Sequence, residues 1–269
     1  MKCEKCEIIV DGISVYFNSS KILENIKFEV KKGEMLGIIG PNGSGKTTLL
    51  KCIARSIIPK GRIIIFGKPI EEYTNNEYSK IVSALLPNWP NGFNMKVYEV
   101  VLMGCRNRTN SFWWEKEEDI KATEEFLKLL KVYHLHDRDF TTLSSGEQRR
   151  VLIAKSLVQR TDIILLDEPI AYLDLKYRIE IMEILKSLSK NNKIVIISAH
   201  EIDLASSYCD KIIVLNNGKI VAMGKPRDII NEKLIYEVYG INATIKWFEN
   251  YPIIIPKRNI KKEELLCLN

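Results

Sequence analysis

The segment from Gly40 to Thr47 has the residue types of a phosphate-binding loop. It reads Gly-Pro-Asn-Gly-Ser-Gly-Lys-Thr and fits the pattern G-x-x-x-x-G-K-[ST]. Its glycines allow consecutive backbone N–H groups to point at one anion, and a helix that starts at the end of the loop adds positive potential. Lys46 would reach the β- and γ-phosphates of a nucleotide, and the Thr47 hydroxyl would bind Mg²⁺. The pattern predicts nucleotide binding, with a chance glycine turn as the alternative.

Two carboxylates follow an apolar run from Ile163 to Leu166. Acidic side chains at the end of a buried strand are costly unless a cation or a substrate meets them. Asp167 would therefore bind Mg²⁺ or its water shell. Glu168 would be free to polarise an attacking water as the general base. An ordinary acidic strand end is the alternative, which the phosphate-binding loop disfavours.

A third segment, Leu143-Ser144-Ser145-Gly146-Glu147, precedes a helical pattern. Its spacing is that of a helix N-cap box, with Ser144 as the cap and Glu147 three residues later. A capped helix N-terminus with small residues is also a site for anions. Both interpretations can hold at once.

The elements that position these segments alternate along the chain. Short β-rich runs and turn residues predict strands before the loop, and periodic apolar residues predict helices after it. Alternation of buried strands and helices indicates a parallel sheet covered on both faces, with a helical insertion at about 88–160. The predicted strands are 8–10, 13–17, 26–30, 35–39, 63–66, 163–166 and 194–197, with a hairpin of 211–215 and 219–222. The predicted helices are 46–56, 97–103, 117–133, 145–159 and 175–189, with another from 201. Short helices and an Ile-rich stretch of unassigned role occupy the last thirty residues.

The composition is that of a globular protein. The chain has 269 residues, 46% hydrophobic and 28% charged, which excludes a disordered or collagen-like chain. A membrane span needs about 20 consecutive apolar residues, and the longest runs here have about four, so we expect no span. No charged-then-apolar leader opens the sequence, and we expect a cytosolic protein. The net charge of +6 is diffuse, which favours a solubility role over binding to nucleic acid or an anionic membrane.

The six cysteines are scattered, which is typical of reduced thiols in a cytosolic protein. Cys3 and Cys6 form one C-x-x-C pair without a second pair. Frayed N-terminal thiols are favoured over a zinc or redox site.

The order of these motifs resembles that of the ATP-binding subunit of an ABC transporter. The resemblance extends over about residues 7–242. The motifs come in the order phosphate-binding loop, helical insertion, Leu-Ser-Ser-Gly-Glu, Leu-Leu-Asp-Glu-Pro, Leu-Asp and an isolated histidine. The resemblance implies an α/β fold: a P-loop NTPase (RecA-like) core with an antiparallel β subdomain and an inserted α-helical subdomain. It places the core at 1–87 and 161–242, the helical subdomain at 88–160 and a C-terminal extension at 243–269. It also implies ATP and Mg²⁺ as cofactors.

The resemblance assigns further residues. Ser144, Ser145 and Gly146 would act in trans, on the γ-phosphate held by the other copy in a head-to-tail homodimer with two ATP molecules. Asp174 would cross the dimer seam, and His200 would contact the γ-phosphate and stabilise the transition state. Tyr16, or Phe17 beside it, would stack on adenine. The nucleotide-contacting residues on this interpretation are Tyr16, Gly40, Pro41, Asn42, Gly43, Ser44, Gly45, Lys46, Thr47, Thr48, Ser144, Ser145, Gly146 and Asp174.

Three positions depart from the family pattern. Asn88 stands where a glutamine is usual. Because its side chain is shorter, we expect it to contact the metal through a water or after a shift of the loop. Ser145 stands where glycine is usual, so it would crowd the nucleotide or add a hydroxyl donor. Ile170 and Ala171 replace a small polar pair. No charge is lost from the predicted phosphate and metal site, so we expect ATPase activity, with Thr47, Asn88 and Asp167 as the metal ligands.

The segment 93–104 resembles importers of iron–siderophore complexes, haem and cobalamin, a group that some molybdate or tungstate importers share. This implies two membrane permeases, an extracytoplasmic substrate-binding protein and a position at the cytoplasmic face of the membrane, with no nucleic-acid partner. The face from Val97 to Gly104 would receive a permease helix, unless it is an ordinary core helix. A soluble ABC ATPase, as in Fe–S cluster assembly, and a nucleotide-binding regulator with little turnover are the alternatives.

Overall fold

The computed structural model describes residues 6–18, 20–87, 95–108 and 116–257, whose strands form three sheets. The strands are β1 (Cys6–Phe17), β2 (Ser20–Lys31), β3 (Met35–Ile39), β4 (Lys60–Ile65), β5 (Lys68–Pro69), β6 (Val82–Leu85), β7 (Ile163–Asp167), β8 (Ile194–Ala199), β9 (Lys211–Asn216), β10 (Lys219–Gly224), β11 (Ala243–Phe248) and β12 (Tyr251–Pro256). The helices are α1 (Lys46–Ile53), α2 (Asn75–Ile81), α3 (Val97–Leu102), α4 (Glu117–Leu129), α5 (Ser145–Leu157), α6 (Leu175–Lys190), α7 (Ile202–Tyr208), α8 (Pro226–Ile229) and α9 (Glu232–Tyr239).

A six-stranded sheet in the order β10-β9-β3-β8-β7-β6 forms the centre of the structure. Its strands from β9 to β6 are parallel, and β10 is antiparallel at one edge. Strands β3, β7 and β8 are buried along their whole length, which explains their continuous apolar sequences. Their register pairs Ile39 with Ala199 and Asp167 with Ser198, so their carboxyl ends lie at one level.

Alternate residues of the central strands face two different cores. Leu36 and Leu165 lie in a core with the antiparallel sheet β2-β1-β4-β5 and helix α1. Met35 and Leu166 lie in a core with the helices from α3 to α7. The parallel sheet is therefore covered on both faces, as the sequence predicts, and the predicted α/β class is confirmed.

Several element bounds differ from the prediction. Strand β1 continues through Gly12, where the register shifts between Val10 and Ile13, so a bulge joins two predicted strands into one. Helices α1 and α4 end early because Arg55 and Lys131 adopt left-handed backbone conformations with φ of 58° and 56°.

The structure also adds elements that the sequence pattern did not predict. Helix α2 and strand β6 lie between the predicted strand at 63–66 and the predicted helical insertion at 88–160. The Ile-rich stretch near the end of the chain is strand β12, which pairs with β11 in a hairpin. Among the described residues, no helix is long and apolar enough to cross a membrane.

Gly61 offers a test of how tightly the antiparallel sheet is packed. It has a φ of +106°, and a Cβ built on it would lie 2.5 Å from the Gly12 carbonyl oxygen. Gly67 has a φ of +77° with nothing within 4 Å of such a Cβ, so it is a matched control. We predict that Gly67→Ala lowers the free energy of unfolding by about 1–2 kcal/mol, the cost of the left-handed conformation alone. Gly61→Ala should cost at least about 1 kcal/mol more, because the new methyl group overlaps the backbone. Equal losses in denaturant titrations would contradict this account.

Candidate functional site

The phosphate-binding loop connects the end of β3 to the start of α1. Gly40 has a φ of +150°, and a Cβ there would lie 2.1 Å from the Leu215 carbonyl oxygen, so only glycine fits. Asn42 and Gly43 are exposed, whereas Ser44 and Lys46 are buried. Thr47 and Thr48 stand in the first turn of α1. The loop thus has the strand–loop–helix context that the sequence pattern requires.

The side chain of Lys46 turns back into this loop. Its Nζ donates hydrogen bonds to the carbonyl oxygens of Gly40 at 2.8 Å and Pro41 at 3.1 Å. Burial lowers the pKa of Lys46, and the carboxylates of Glu168 and Asp167 oppose this effect. The positive charge of Lys46 is therefore only partly compensated by protein groups, and it would attract an anion to the loop.

Asp167, the last residue of β7, bonds one residue of helix α1 and one of strand β8. Thr47 Oγ1 donates to its Oδ2 at 2.8 Å, and Ser198 Oγ donates to its Oδ1 at 2.5 Å. The parallel register between β7 and β8 sets Asp167 beside Ser198. Two of the three predicted metal-binding residues, Thr47 and Asp167, are therefore in direct contact.

Glu168 follows in a left-handed backbone conformation, with φ of 51°. This conformation is unfavourable for a non-glycine residue and turns the chain out of the strand. The Glu168 N–H donates to Ser198 Oγ at 2.9 Å and to the Ser198 carbonyl at 3.2 Å. Its Oε1 lies 2.6 Å from His200 Nε2, and both side chains remain partly exposed. The structure thus brings the predicted base and the predicted histidine together.

The residues around Thr47 fit a magnesium ion that is shared with a nucleotide. No group of three or more His, Cys, Asp or Glu side chains in the described parts of the chain is arranged to hold a metal on its own. Mg²⁺ keeps several waters and usually takes one or two protein ligands together with substrate phosphates, and one hydroxyl with one carboxylate is such a set. Ser44 Oγ, inside the loop, is buried without a hydrogen-bond partner among the described atoms. An anion in the loop would supply an acceptor there.

The segment Ser144 to Gly146 begins helix α5 as a capping box. The Ser144 side chain accepts from the Glu147 N–H, and Glu147 Oε2 accepts from the N–H and the hydroxyl of Ser144. These hydrogen bonds lower the pKa of Glu147. Ser144 and Ser145 are exposed, and none of the hydrogen bonds found among the described residues joins them to the phosphate-binding loop. Within one chain, the two segments predicted to bind an anion therefore remain separate.

The other predicted nucleotide contacts lie on the surface. Asp174 is the N-cap residue of α6, without a side-chain cap hydrogen bond, and the neighbouring Tyr172 and Leu175 are exposed. Tyr16 is 47% exposed, with Lys60 Nζ 5.2 Å from its ring centroid, and Phe17 is also exposed. An exposed ring flanked by a cation can stack on a base whose phosphates carry negative charge.

Of the positions that depart from the family pattern, Asn88 lies outside the described residues. Ile170 is buried in the helical core and Ala171 is partly buried, so this pair serves packing. His134 is exposed. His136 stacks on Tyr133 with 5.1 Å between ring centroids, in keeping with a surface role.

Three polar residues at this site were not singled out from the sequence. Ser198 bonds Asp167 and Glu168. Arg149 donates to the main-chain carbonyls of both these residues. Arg178 donates to the Leu173 carbonyl at 2.6 Å and to Glu201 at 3.3 Å, which links the segment before Asp174 to that after His200. A serine at the end of the apolar run 194–197 is a signal that could have indicated Ser198.

An apolar groove of about 670 Å³ lies beside helices α3 and α5. Val97, Val100 and Val101 of α3 are fully buried against α4 and α5, so this face of α3 belongs to the core. The groove is formed instead by residues around α3, α5 and the end of β6. These include Leu85, Leu86, Met95, Met103, Leu152 and Lys155.

Comparison with known proteins identifies relatives over most of the chain. Residues 23–171 match the family model described as ABC transporter. An uncharacterized ABC transporter ATP-binding protein of Methanocaldococcus jannaschii is 41% identical, over 92% of this chain and 96% of its own length. The hemin import ATP-binding protein of Rhodococcus jostii is 34% identical, covering 86% of this chain and 78% of that protein. The ferric enterobactin transport ATP-binding protein of Escherichia coli is 32% identical, covering 87% and 88%.

Solved structures agree with this result. A dimeric ATP-binding cassette in a post-hydrolysis state, bound to ADP and Pi, is 27% identical with a TM-score of 0.74, covering 82% of this chain and 99% of that one. An inward-facing, putative metal-chelate type ABC transporter superposes with a TM-score of 0.80 at 24% identity, covering 95% and 99%. This second likeness concerns the fold alone.

The hydroxyl of Ser198 gives a direct test of the hydrogen-bond network. We predict that Ser198→Ala lowers the free energy of unfolding by about 1–3 kcal/mol, because Asp167 and Glu168 lose a buried partner. Ser206→Ala is the matched control, since Ser206 is also buried and its Oγ has no hydrogen-bond partner among the described residues. Chemical denaturation should show little change for Ser206→Ala. A cost for Ser198→Ala no larger than that of the control would exclude the network.

Proposed function

Since this chain belongs to the ABC transporter family and is an ATPase of an importer family, we propose that it drives uptake of an iron–siderophore, haem or cobalamin-type complex through partner permeases. The observation that carries the ATPase chemistry is the convergence of Lys46, Asp167, Glu168 and His200 at one edge of the central sheet. The named hemin and ferric enterobactin relatives support the substrate class. Molybdate or tungstate remains in the proposed range.

In the proposed reaction, Glu168 removes a proton from the water that attacks the γ-phosphate. The left-handed turn at Glu168 carries its carboxylate clear of the strand, where a water can approach. His200 holds Glu168 at 2.6 Å in this structure and would exchange that contact for the γ-phosphate when ATP binds. Lys46, now bonded to loop carbonyls, would turn to the phosphates.

Mg²⁺, when bound, would neutralise phosphate charge during the transfer. Thr47 and Asp167 are the residues proposed to hold it, and Ser198 keeps the Asp167 carboxylate in its orientation. Asn88 is proposed as a third ligand from the sequence pattern alone. Tyr16 is proposed to stack on the adenine ring.

The proposed active assembly is a head-to-tail homodimer with two ATP molecules. Ser144, Ser145 and Gly146 of one copy would close over the ATP held by the loop of the other, and Asp174 would lie at the seam. Support comes from the exposure of Ser144, Ser145 and Asp174 and from the dimeric relative of known structure. The proposed division is a core of 1–87 and 161–242, a helical subdomain of 88–160 and an extension of 243–269.

The groove beside α5 is the proposed docking site for a permease. Its apolar lining, with Met95, Met103 and Leu152, suits an amphipathic helix that lies in a groove.

Two permeases and an extracytoplasmic binding protein would complete the importer, with this subunit at the cytoplasmic face of the membrane. The substrate is tested by reconstituting that complex in liposomes and measuring ATP-dependent uptake of haem, a ferric siderophore and cobalamin. Turnover with none of them transported would favour a soluble ABC ATPase, and absence of turnover would favour a regulator.

For the base, we predict that Glu168→Gln lowers kcat by about 10²–10⁴-fold while ATP binding persists, because only proton removal is lost. The variant should also accumulate as an ATP-bound dimer in size-exclusion chromatography. Lys46→Ala should instead lose tight ATP binding in calorimetry, and Glu180→Gln, which breaks an ion pair with Lys131, should preserve both properties. Hydrolysis by Glu168→Gln at the unmodified rate would refute the assignment.

For the docking groove, we predict that Leu152→Glu abolishes co-purification with the permeases, since a carboxylate would be buried in the apolar groove. ATP affinity of the isolated subunit should be unchanged. Met223→Glu is the matched control, because Met223 is an exposed apolar residue of β10, outside the groove lining. Normal assembly of Leu152→Glu, or equal loss with Met223→Glu, would show that the permease docks elsewhere.

A further inference from the structure

Arg149 reaches from helix α5 to the strand end that carries the proposed base. Its Nη2 donates to the main-chain carbonyl of Glu168 at 2.5 Å and also to that of Asp167. Both carbonyls lie where the chain leaves strand β7 in a left-handed turn. A carbonyl that leaves a sheet needs another donor, and one guanidinium supplies donors to two of them.

Arg149 is partly buried, and its hydrogen bonds to the two carbonyls hold its guanidinium against the end of β7. Burial lowers the pKa of its guanidinium, an effect that Asp167, Glu168 and Tyr172 oppose. Its Nε is buried without a hydrogen-bond partner among the described residues, a feature that the neighbouring Arg150 shares. This state costs free energy in both arginines, so Arg149 is distinguished by its hydrogen bonds to the carbonyls of Asp167 and Glu168.

The same helix touches the following segment a second time. A Cβ built on Gly146 would lie 2.9 Å from the carbonyl oxygen of Tyr172, so the first turn of α5 lies directly against this backbone. Tyr172 also has a left-handed conformation, with φ of 64°. Helix α5 therefore contacts the stretch 167–172 near both ends of it, once through Arg149 and once through Gly146.

We propose that Arg149 is a positioning residue that couples helix α5 to the orientation of Glu168 in the same chain. The inference rests on the proposed function, in which Glu168 is the base and Ser144 to Gly146 contact the ATP held by the other copy. A shift of α5 on engaging that ATP moves the guanidinium, and with it the carbonyls on either side of the Asp167–Glu168 peptide bond. Arg149 thereby links the two ATP sites of the dimer, so that filling one site sets the base of the other.

The test compares two neighbouring arginines on the same helix. Arg150 also has a guanidinium bonded to carbonyls, those of Leu130 and Lys131, and it stacks on Tyr177 with 4.0 Å to the ring centroid. It makes no hydrogen bond to the stretch 167–172 among those found for the described residues. Arg149→Met and Arg150→Met therefore remove similar donors with similar volume, and only the first acts on Glu168. Arg149→Lys keeps the charge but has a single donor atom in place of the planar fork.

The measurements are kcat, KM, the Hill coefficient for ATP, the ATP dissociation constant and the thermal midpoint of each variant. We expect Arg149→Met to lower kcat by at least about tenfold, with ATP affinity within about threefold of the parent, since misplacement of a catalytic group acts on the chemical step. Its Hill coefficient should fall toward one, and Arg149→Lys should recover part of kcat. Arg150→Met should lower the thermal midpoint without lowering kcat or the Hill coefficient.

Two outcomes would overturn the proposal. One is an unchanged kcat and Hill coefficient in Arg149→Met. The other is a parallel loss of kcat, ATP affinity and stability in Arg149→Met that Arg150→Met reproduces, which would indicate a structural role. Glu168→Gln, measured in parallel, separates this proposal from the proposed function: if it retains full turnover, the base itself is misassigned, whereas its inactivity with an unaffected Arg149→Met rejects the coupling alone.

Discussion

The carboxylate of Asp167 is the group on which the arrangement of the site depends. One of its oxygens accepts from Thr47, at the start of α1, and the other accepts from Ser198, near the end of β8. The parallel register of β7 and β8 sets Asp167 beside Ser198, and the loop after β3 brings Thr47 of α1 to the same end of the sheet. Both carboxylate oxygens are satisfied, which makes the burial of this charge tolerable. The same charge lies near Lys46 and opposes the loss of its proton.

The left-handed turn at Glu168 is the second constraint, and its neighbours hold it in place. Ser198 accepts from the Glu168 N–H on one side of the chain, and Arg149 donates to carbonyls on the other. A residue in this conformation persists only where the surroundings determine it. What the fold gains is a carboxylate that leaves the strand and meets His200, rather than one that continues into a sheet position.

The sequence allowed the loop, the two carboxylates, the capping box and the parallel sheet to be predicted because each depends on local spacing or on a run of one residue type. Ser198, Arg149 and Arg178 could not be predicted in this way, since their partners are set by strand register and helix placement rather than by neighbours in sequence. The hairpin β11–β12 was missed for a different reason. Strand β12 begins and ends near prolines, which normally argue against a strand.

Strand β1 and helix α3 illustrate how tertiary packing overrides a local signal. Gly12 looked like the end of a strand, but the pairing of β1 with both β2 and β4 carries the strand through a bulge. The apolar face of α3 looked like a docking surface, whereas α4 and α5 cover it and leave the groove beside it. In both cases the residue types fit the local structure. The packing partners of β1 and α3 lie in other elements of the chain, so local patterns did not indicate them.

The distribution of polar groups between the phosphate-binding loop and the first turn of α5 favours the proposal that each ATP site is completed by two copies of the chain. The loop, the base and the histidine converge at the carboxyl ends of the central strands, with Ser198 and Arg149 bonded to Asp167 and Glu168. The first turn of α5 is different: Ser144 satisfies the N–H of Glu147, while helix geometry leaves the N–H groups of Ser145 and Gly146 without acceptors inside the helix. Those donors and the exposed Ser145 favour an anion held by another molecule. A second copy would bring the required phosphate. Helix α5 contacts the backbone of Glu168 through Arg149, so it would transmit the binding of that phosphate to the base.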